Sequence, residues 1–137
     1  MEVKGSCNCR AVQFDVVTQI SDVYVCHCSI CRKSTGSGGI AVSIVKNDDF
    51  SWEEGEEFIV TWQKPNHDWQ SNFCKKCGSP LPGKNDEKTI YIPVDLLDSG
   101  NDNLVVRHHL FVASKGSWQT IQDEGIQHQE NFSSENK

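Results

Sequence analysis

Cys74-Lys75-Lys76-Cys77-Gly78 is the stretch on which the fold turns. Two cysteines at this spacing bring both thiolates to one metal ion, and the glycine after the second permits a left-handed turn in which the ligands meet the ion without a Cβ clash. By itself the stretch supplies half of a tetrahedron. Cys7-Asn8-Cys9, far upstream, offers a second close pair. An ion shared by the two pairs would tie the N-terminal strand to a distant segment, the cross-link that a small β domain with a limited core needs.

The remaining three cysteines lie in Cys26-His27-Cys28-Ser29-Ile30-Cys31, so none of the seven is left as an ordinary core thiol. Seven divides into four for a closed tetrahedral zinc site and three for an open site with a position left for water or substrate. An odd count cannot pair off completely as disulfides. Cysteines two apart are also awkward disulfide partners, whereas on an extended strand residues i and i+2 share a face and can ligate together. Spacing alone leaves two allocations open, because Cys7 and Cys9 could complete either the Cys74/Cys77 pair or the central triple.

The chain has 137 residues, enough for one domain with a modest core. Seven cysteines in that length fall below the roughly 8–10% typical of short disulfide scaffolds. Met1 to Ser6 offers no apolar signal segment, so a reducing cytoplasm is the expected location. The longest apolar run, Ile40 to Val45, is interrupted by Ser43 and far too short to span a bilayer. Thirteen basic against nineteen acidic residues give a formal charge of −6 with neutral thiols. Such a surface repels phosphate backbones, and the only basic clusters, Arg32-Lys33, Lys75-Lys76 and Arg107 with His108-His109, are short, so nucleic acid is not the expected partner.

The hydrophobic pattern reads as short strands separated by turns. Arg10 to Val16 places Val12, Phe14 and Val16 on one face, Val23 to Val25 leads into the central cysteines, and Ile40 to Val45 and Phe58 to Trp62 are β-branched and aromatic. Trp69 to Cys74, Thr89 to Val94 and His109 to Ala113 complete the expected strands. No helical stripe exceeds two turns. Ser34 to Gly39 reads as a loop; Pro65 to Asp68, Pro80 to Gly83 and Asp98 to Asn101 read as turns. Residues 1–124 are expected to form the zinc domain, and 125–137 a polar, unstructured tail.

An open site of three thiolates has a distinct chemistry. With Zn²⁺ it carries a net charge of about −1, so a bound water is acidified less than at a three-histidine site, and hydrolysis is disfavoured. The soft sulfur surroundings suit a fourth sulfur, an incoming thiol that binds as thiolate and becomes nucleophilic at neutral pH. Zinc-assisted thiol chemistry on a low-molecular-weight cytoplasmic thiol follows.

Gly5-Ser6-Cys7-Asn8-Cys9, Cys26 to Ser37, Phe73 to Leu81 and His109 to Trp118 together resemble the glutathione-dependent formaldehyde-activating enzyme family, which also contains centromere protein V. The resemblance runs in order from about Val3 to Trp118. It implies a mainly β, Mss4-like fold, a structural zinc on Cys7, Cys9, Cys74 and Cys77, and a catalytic-type zinc on Cys26, Cys28 and Cys31. It also implies a carbon–sulfur lyase-type activity, the formation of S-(hydroxymethyl)glutathione from glutathione and formaldehyde. The alternative function is a non-catalytic zinc-stabilised binding or scaffold module; a zinc or thiol-redox sensor is a third.

Other residues have assignable roles. On a strand, His27 faces away from Cys26 and Cys28, which makes it a packing or ligand-supporting residue rather than a ligand. Arg32 and Lys33 are candidates for holding a glutathione carboxylate, or else compensate thiolate charge. His108, His109 and Lys115 are expected to pair structurally, Trp52, Trp62, Trp69 and Trp118 to be core or rim aromatics, and Glu53 to Glu57 to form a solvated hairpin tip.

Overall fold

The computed structural model describes residues 2–132 and is mainly β, with 42% strand and 15% helix. Its elements begin with β1 (Val3–Ser6), β2 (Gln13–Val16), β3 (Asp22–Cys26), α1 (Ser29–Thr35), β4 (Ile40–Lys46), β5 (Phe50–Glu54) and β6 (Ile59–Gln63). They continue with β7 (Gln70–Cys74), β8 (Pro80–Leu81), β9 (Gly83–Lys84), β10 (Thr89–Pro93), β11 (Leu97–Ser99), β12 (Val105–Leu110) and β13 (Ile126–Gln127). The chain forms two compact units, residues 2–21 with 43–103 and residues 22–42 with 104–132. No helix among the described residues is long and apolar enough to cross a membrane.

In the first unit, β11, β1, β2 and β5 form an antiparallel sheet in that order, and β6, β7 and β8 form another. The alternation along β2 has the expected effect: Val12, Phe14 and Val16 are all buried. Phe14 lies opposite Gly5 on β1, stacks on Phe50 with ring centroids 5.5 Å apart, and meets the edge of Trp52 at 6.2 Å. A second apolar cluster joins Cys7, Val12, Cys74 and Leu81, with Ala11, Trp52, Phe58 and Ile59 packed against it. Half of the first cysteine group is thereby part of a hydrophobic core.

In the second unit the order is β13, β12, β3 and the beginning of β4. Strand β12 runs parallel to both β3 and β13, and β4 runs antiparallel to β3. Parallel pairing of β3 with β12 needs a long connection, which the intervening chain provides.

Some sequence expectations shift, among them the loop expected over Ser34 to Gly39, whose first two residues instead end α1. The strand expected over His109 to Ala113 is instead β12, ending at Leu110; Phe111 turns left-handed (φ 56°) into a 3-10 turn at Val112–Ser114. The reason is sideways bonding: the N–H groups of Phe111, Val112 and Ala113 donate to the carbonyls of Glu130, His128 and Gln129. These bonds and the pairing of β13 with β12 show that the segment from Ile126 to Glu130, expected to be unstructured, pairs with the body of the unit; residues 133–137 of that expected tail lie outside the described residues. Finally, Pro80 to Gly83 is not a simple turn but contributes β8 and β9, with Pro80 on an edge strand, where a missing N–H is tolerated.

Candidate functional site

The first cysteine group lies wholly in the first unit. Strand β1 ends at Ser6, so Cys7 and Cys9 do not share a strand face as expected. They converge through a tight turn, in which the Arg10 N–H donates to the Cys7 carbonyl (2.9 Å) and Arg10 takes a left-handed conformation (φ 65°). Across from them Cys74 ends β7, and the turn to Cys77 closes through Gly78, at φ 78°, whose N–H donates to the Cys74 carbonyl at 2.7 Å. All four Sγ atoms lie within 4.8 Å of one another, with Cys7–Cys9 at 3.6 Å and Cys9–Cys74 at 3.9 Å. A tetrahedron with metal–sulfur bonds of about 2.3 Å has edges of about 3.8 Å, whereas a disulfide needs about 2.05 Å. The donor set therefore fits a thiophilic metal ion, and all seven cysteines are free of disulfides.

Surrounding groups stabilise sulfur charge. The Val12 N–H donates to Cys7 Sγ at 3.3 Å, and Ser79 Oγ lies 3.2 Å from Cys77 Sγ while accepting the Asn8 N–H. The Ser79 hydroxyl is the main cause of a Cys77 thiol lowered to about 6. For Cys9 the Ala11 N–H pulls downward, but loss of water and the thiols of Cys7, Cys77 and Cys74 push it up to about 11. Without a cation the group cannot hold its full negative charge. Lys75 and Lys76 lie over the Phe58 ring, 5.8 and 4.6 Å from its centroid.

The second group belongs to the second unit. Cys26 is the last residue of β3, Cys28 is the N-cap of α1, and Cys31 lies in the first turn of α1. Their Sγ atoms also lie within 4.8 Å of one another, and among the described residues no fourth cysteine, histidine or carboxylate joins them. The Cys26 thiol donates to Cys28 Sγ at 3.5 Å, and the Cys31 N–H donates to the same sulfur at 3.4 Å. Bonds from the Cys26 and Cys31 thiols, then from backbone N–H groups, outweigh burial and hold Cys28 down at about 2. Cys26, which gives its hydrogen bond to Cys28, is pushed up to about 11; Cys31 is pushed up by Cys26, Cys28 and burial. One thiolate bonded by two thiols is what a three-sulfur cradle becomes when no cation shares the charge.

The neighbouring residues divide as follows. Arg32 is half-buried, its Nε buried without a hydrogen-bond partner, whereas Lys33 is exposed. His27 follows the end of β3, does not join the sulfur group, and is fully buried. Its Nδ1 lies 3.2 Å from the Gly38 carbonyl oxygen and its Nε2 lies 2.9 Å from His109 Nδ1. His108 pairs with His128 at 2.9 Å and Lys115 donates to the Gln119 carbonyl, so the C-terminal polar residues pair structurally. Trp62 and Trp118 are exposed; Trp52 and Trp69 are half-buried.

The model of the family described as glutathione-dependent formaldehyde-activating enzyme matches residues 2–114. The chain belongs to this family. A protein of Halomonas elongata named "Putative glutathione-dependent formaldehyde-activating enzyme" is 30% identical over 129 residues, covering 89% of this chain and 82% of that one. The crystal structure of a Rhodobacter sphaeroides protein is similar with a TM-score of 0.59 and 24% identity, covering 72% of this chain and 91% of that one. That likeness speaks for the fold, which is the mainly β, multi-sheet arrangement expected. Both cysteine groups fall inside the family segment. Ser79, which bonds to the first group, was not singled out beforehand and carries only a faint signal in standing two residues after Cys77.

Proposed function

We propose that this member of the glutathione-dependent formaldehyde-activating family is a zinc-dependent carbon–sulfur lyase-type enzyme that binds glutathione at Cys26, Cys28 and Cys31. It would form S-(hydroxymethyl)glutathione or a related adduct. The observation that carries this reading is the gathering of three sulfurs with no fourth protein ligand among the described residues, in contrast to the group of four, which is complete. Cys7, Cys9, Cys74 and Cys77 are the residues that would hold a structural ion, and the three-sulfur group would hold an exchangeable one. A zinc ion there would lower the pKa of an incoming thiol so that it reacts as thiolate at neutral pH.

The chain's own residues define the rest. Strand β3 and the N-terminus of α1 hold the three sulfurs, with Cys26 and Cys28 half-buried and Cys31 buried. The glutathione sulfur pair adds to the carbonyl carbon of formaldehyde, the C=O π electrons move to oxygen, and that oxygen takes up a proton equivalent to the one the thiol released. No group leaves and no redox change occurs. Arg32 and Lys33 would hold a glutathione carboxylate, their cationic groups following Cys31 directly in the chain. Seven free cysteines support a reducing cytoplasmic location.

Cobalt-substituted protein tests the reading, because an added sulfur ligand alters the sulfur-to-cobalt charge-transfer bands. Glutathione is expected to change them, and simple esters and phosphates are not expected to be hydrolysed. Bands unchanged at millimolar glutathione would point instead to the non-catalytic zinc-stabilised module.

A further inference from the structure

Behind the three-cysteine group runs a buried polar string that the chemistry above does not use. His27 stands between Cys26 and Cys28, and its main-chain N–H donates to the Leu110 carbonyl at the end of β12 (2.9 Å). Its ring bridges the Gly38 carbonyl and His109. His109, itself 4% exposed, directs Nε2 at both carboxylate oxygens of Asp123, at 2.8 and 3.1 Å. Asp123 is anchored in turn by the Gly125 N–H at 2.8 Å, and its side chain reaches solvent. The family match ends at residue 114, so this end of the string lies beyond it.

Hydrogen counting fixes the state of the string. The Gly38 carbonyl and the Asp123 carboxylate only accept, so three bonds in series require three ring protons on four nitrogens, and two neutral imidazoles carry only two. The carboxylate in contact with His109 Nε2 is the acceptor and charge partner that the third ring proton needs, and without it the string is one bond short.

The geometry explains what this accomplishes. Gly38 lies in the loop that follows α1, and Thr35 Oγ1, on the last turn of α1, lies 3.4 Å from the Gly39 carbonyl. The His27 ring thus fastens the Cys26–Cys28 turn, before α1, to the loop after α1, and Cys31 lies between. We propose that His109 and Asp123 are positioning residues for the three-cysteine site, acting through His27 to clamp both ends of α1 and keep the three sulfurs gathered around one open position. The inference rests on the reading of that site as a metal and thiol site, and supporting bonds of this kind commonly matter for metal affinity.

The full-length protein with Asp123→Ala and Asp123→Asn tests it. Alanine removes the last acceptor. Asparagine can turn its amide to donate to His109 Nε2, which permits all three bonds with both rings neutral. Asp123→Ala is expected to weaken the second cobalt ion about 10- to 100-fold and to speed amide hydrogen exchange across residues 26–39, leaving the Cys74–Cys77 turn unchanged. Asp123→Asn should stay near wild type in both. Unchanged exchange over 26–39 in Asp123→Ala, or equal damage from both variants, would each overturn the inference. Should Asp123→Ala fail to fold, Asp123→Ser, whose hydroxyl stops short of His109, takes its place with the same expected outcomes. A wild-type protein that takes up no second ion defeats the proposed thiol chemistry, while hydrogen exchange judges this inference separately.

Discussion

Cys9 and Cys28 look alike in sequence, each the second cysteine of a Cys-X-Cys, yet their loss should have opposite consequences. Cys9 reaches across to Cys74 and Cys77, and the cluster beside it includes Cys7, Val12, Cys74 and Leu81. Structural zinc contributes folding free energy on the order of 10 kcal/mol in small domains, so Cys9→Ser or Cys77→Ser should leave an insoluble or unfolded chain. Cys28 binds a cradle whose other members, Cys26 and Cys31, are close in sequence, so Cys28→Ser should keep the β fold and one ion while losing the exchangeable ion and any thiol-dependent activity. Circular dichroism with metal analysis checks both. The opposite pattern, Cys28→Ser unfolded and Cys77→Ser folded and active, would reverse the roles assigned to the two groups.

At the scale of the element, two left-handed glycines separate backbone cost from packing cost. Gly78, at φ 78° in the cysteine turn, has nothing within 4 Å of where a Cβ would stand. Gly78→Ala should therefore cost only the strain of an L-residue in that conformation, about 1–2 kcal/mol. Gly55, at φ 82° in the connection between β5 and β6, is different, since a Cβ there would overlap the Ala11 carbonyl and crowd Val12. Strain and overlap add, so Gly55→Ala should cost about 3 kcal/mol or more. Urea midpoints of the metal-loaded protein give the comparison; equal shifts would mean that the β2 edge yields to the new methyl. The surrounding run Glu53 to Glu57 was readable as solvated from its charge, and its glutamates are exposed, but it is not the expected hairpin tip, because β5 pairs with β2 and β6 with β7; the close approach of residue 55 to residue 11 depends on that pairing of β2 with β5.

For the whole molecule, acid is the revealing stress. Asp15, bonded first by Lys4, and Asp86, bonded first by the Lys88 N–H and then Thr89, are held below the ordinary carboxylate range. A carboxyl depressed in the folded state adds stability above its unfolded pKa, about 4, and that contribution disappears as pH falls through the folded value. The urea midpoint should thus fall below about pH 4, and less steeply in Asp15→Asn or Asp86→Asn than in wild type; equal slopes would show that these bonds do not survive in solution. Metal release in acid acts on all three proteins alike, which makes their difference the informative quantity. Much of this molecule was already determined by sequence alone: strand positions follow from period-two alternation, and the three short cysteine motifs mark metal ligands, since both depend on residues near one another in the chain, whereas spacing left open which motif Cys7 and Cys9 join. Tertiary structure decided the rest. The Cys7–Cys9 turn, the pairing of residues 126–130, and the bonds from His27 to His109, 82 residues away, and on to Asp123 all depend on where distant strands meet. Parallel pairing of β3 with β12 brings those residues together, and no local pattern encodes which distant strand becomes a neighbour or in which register.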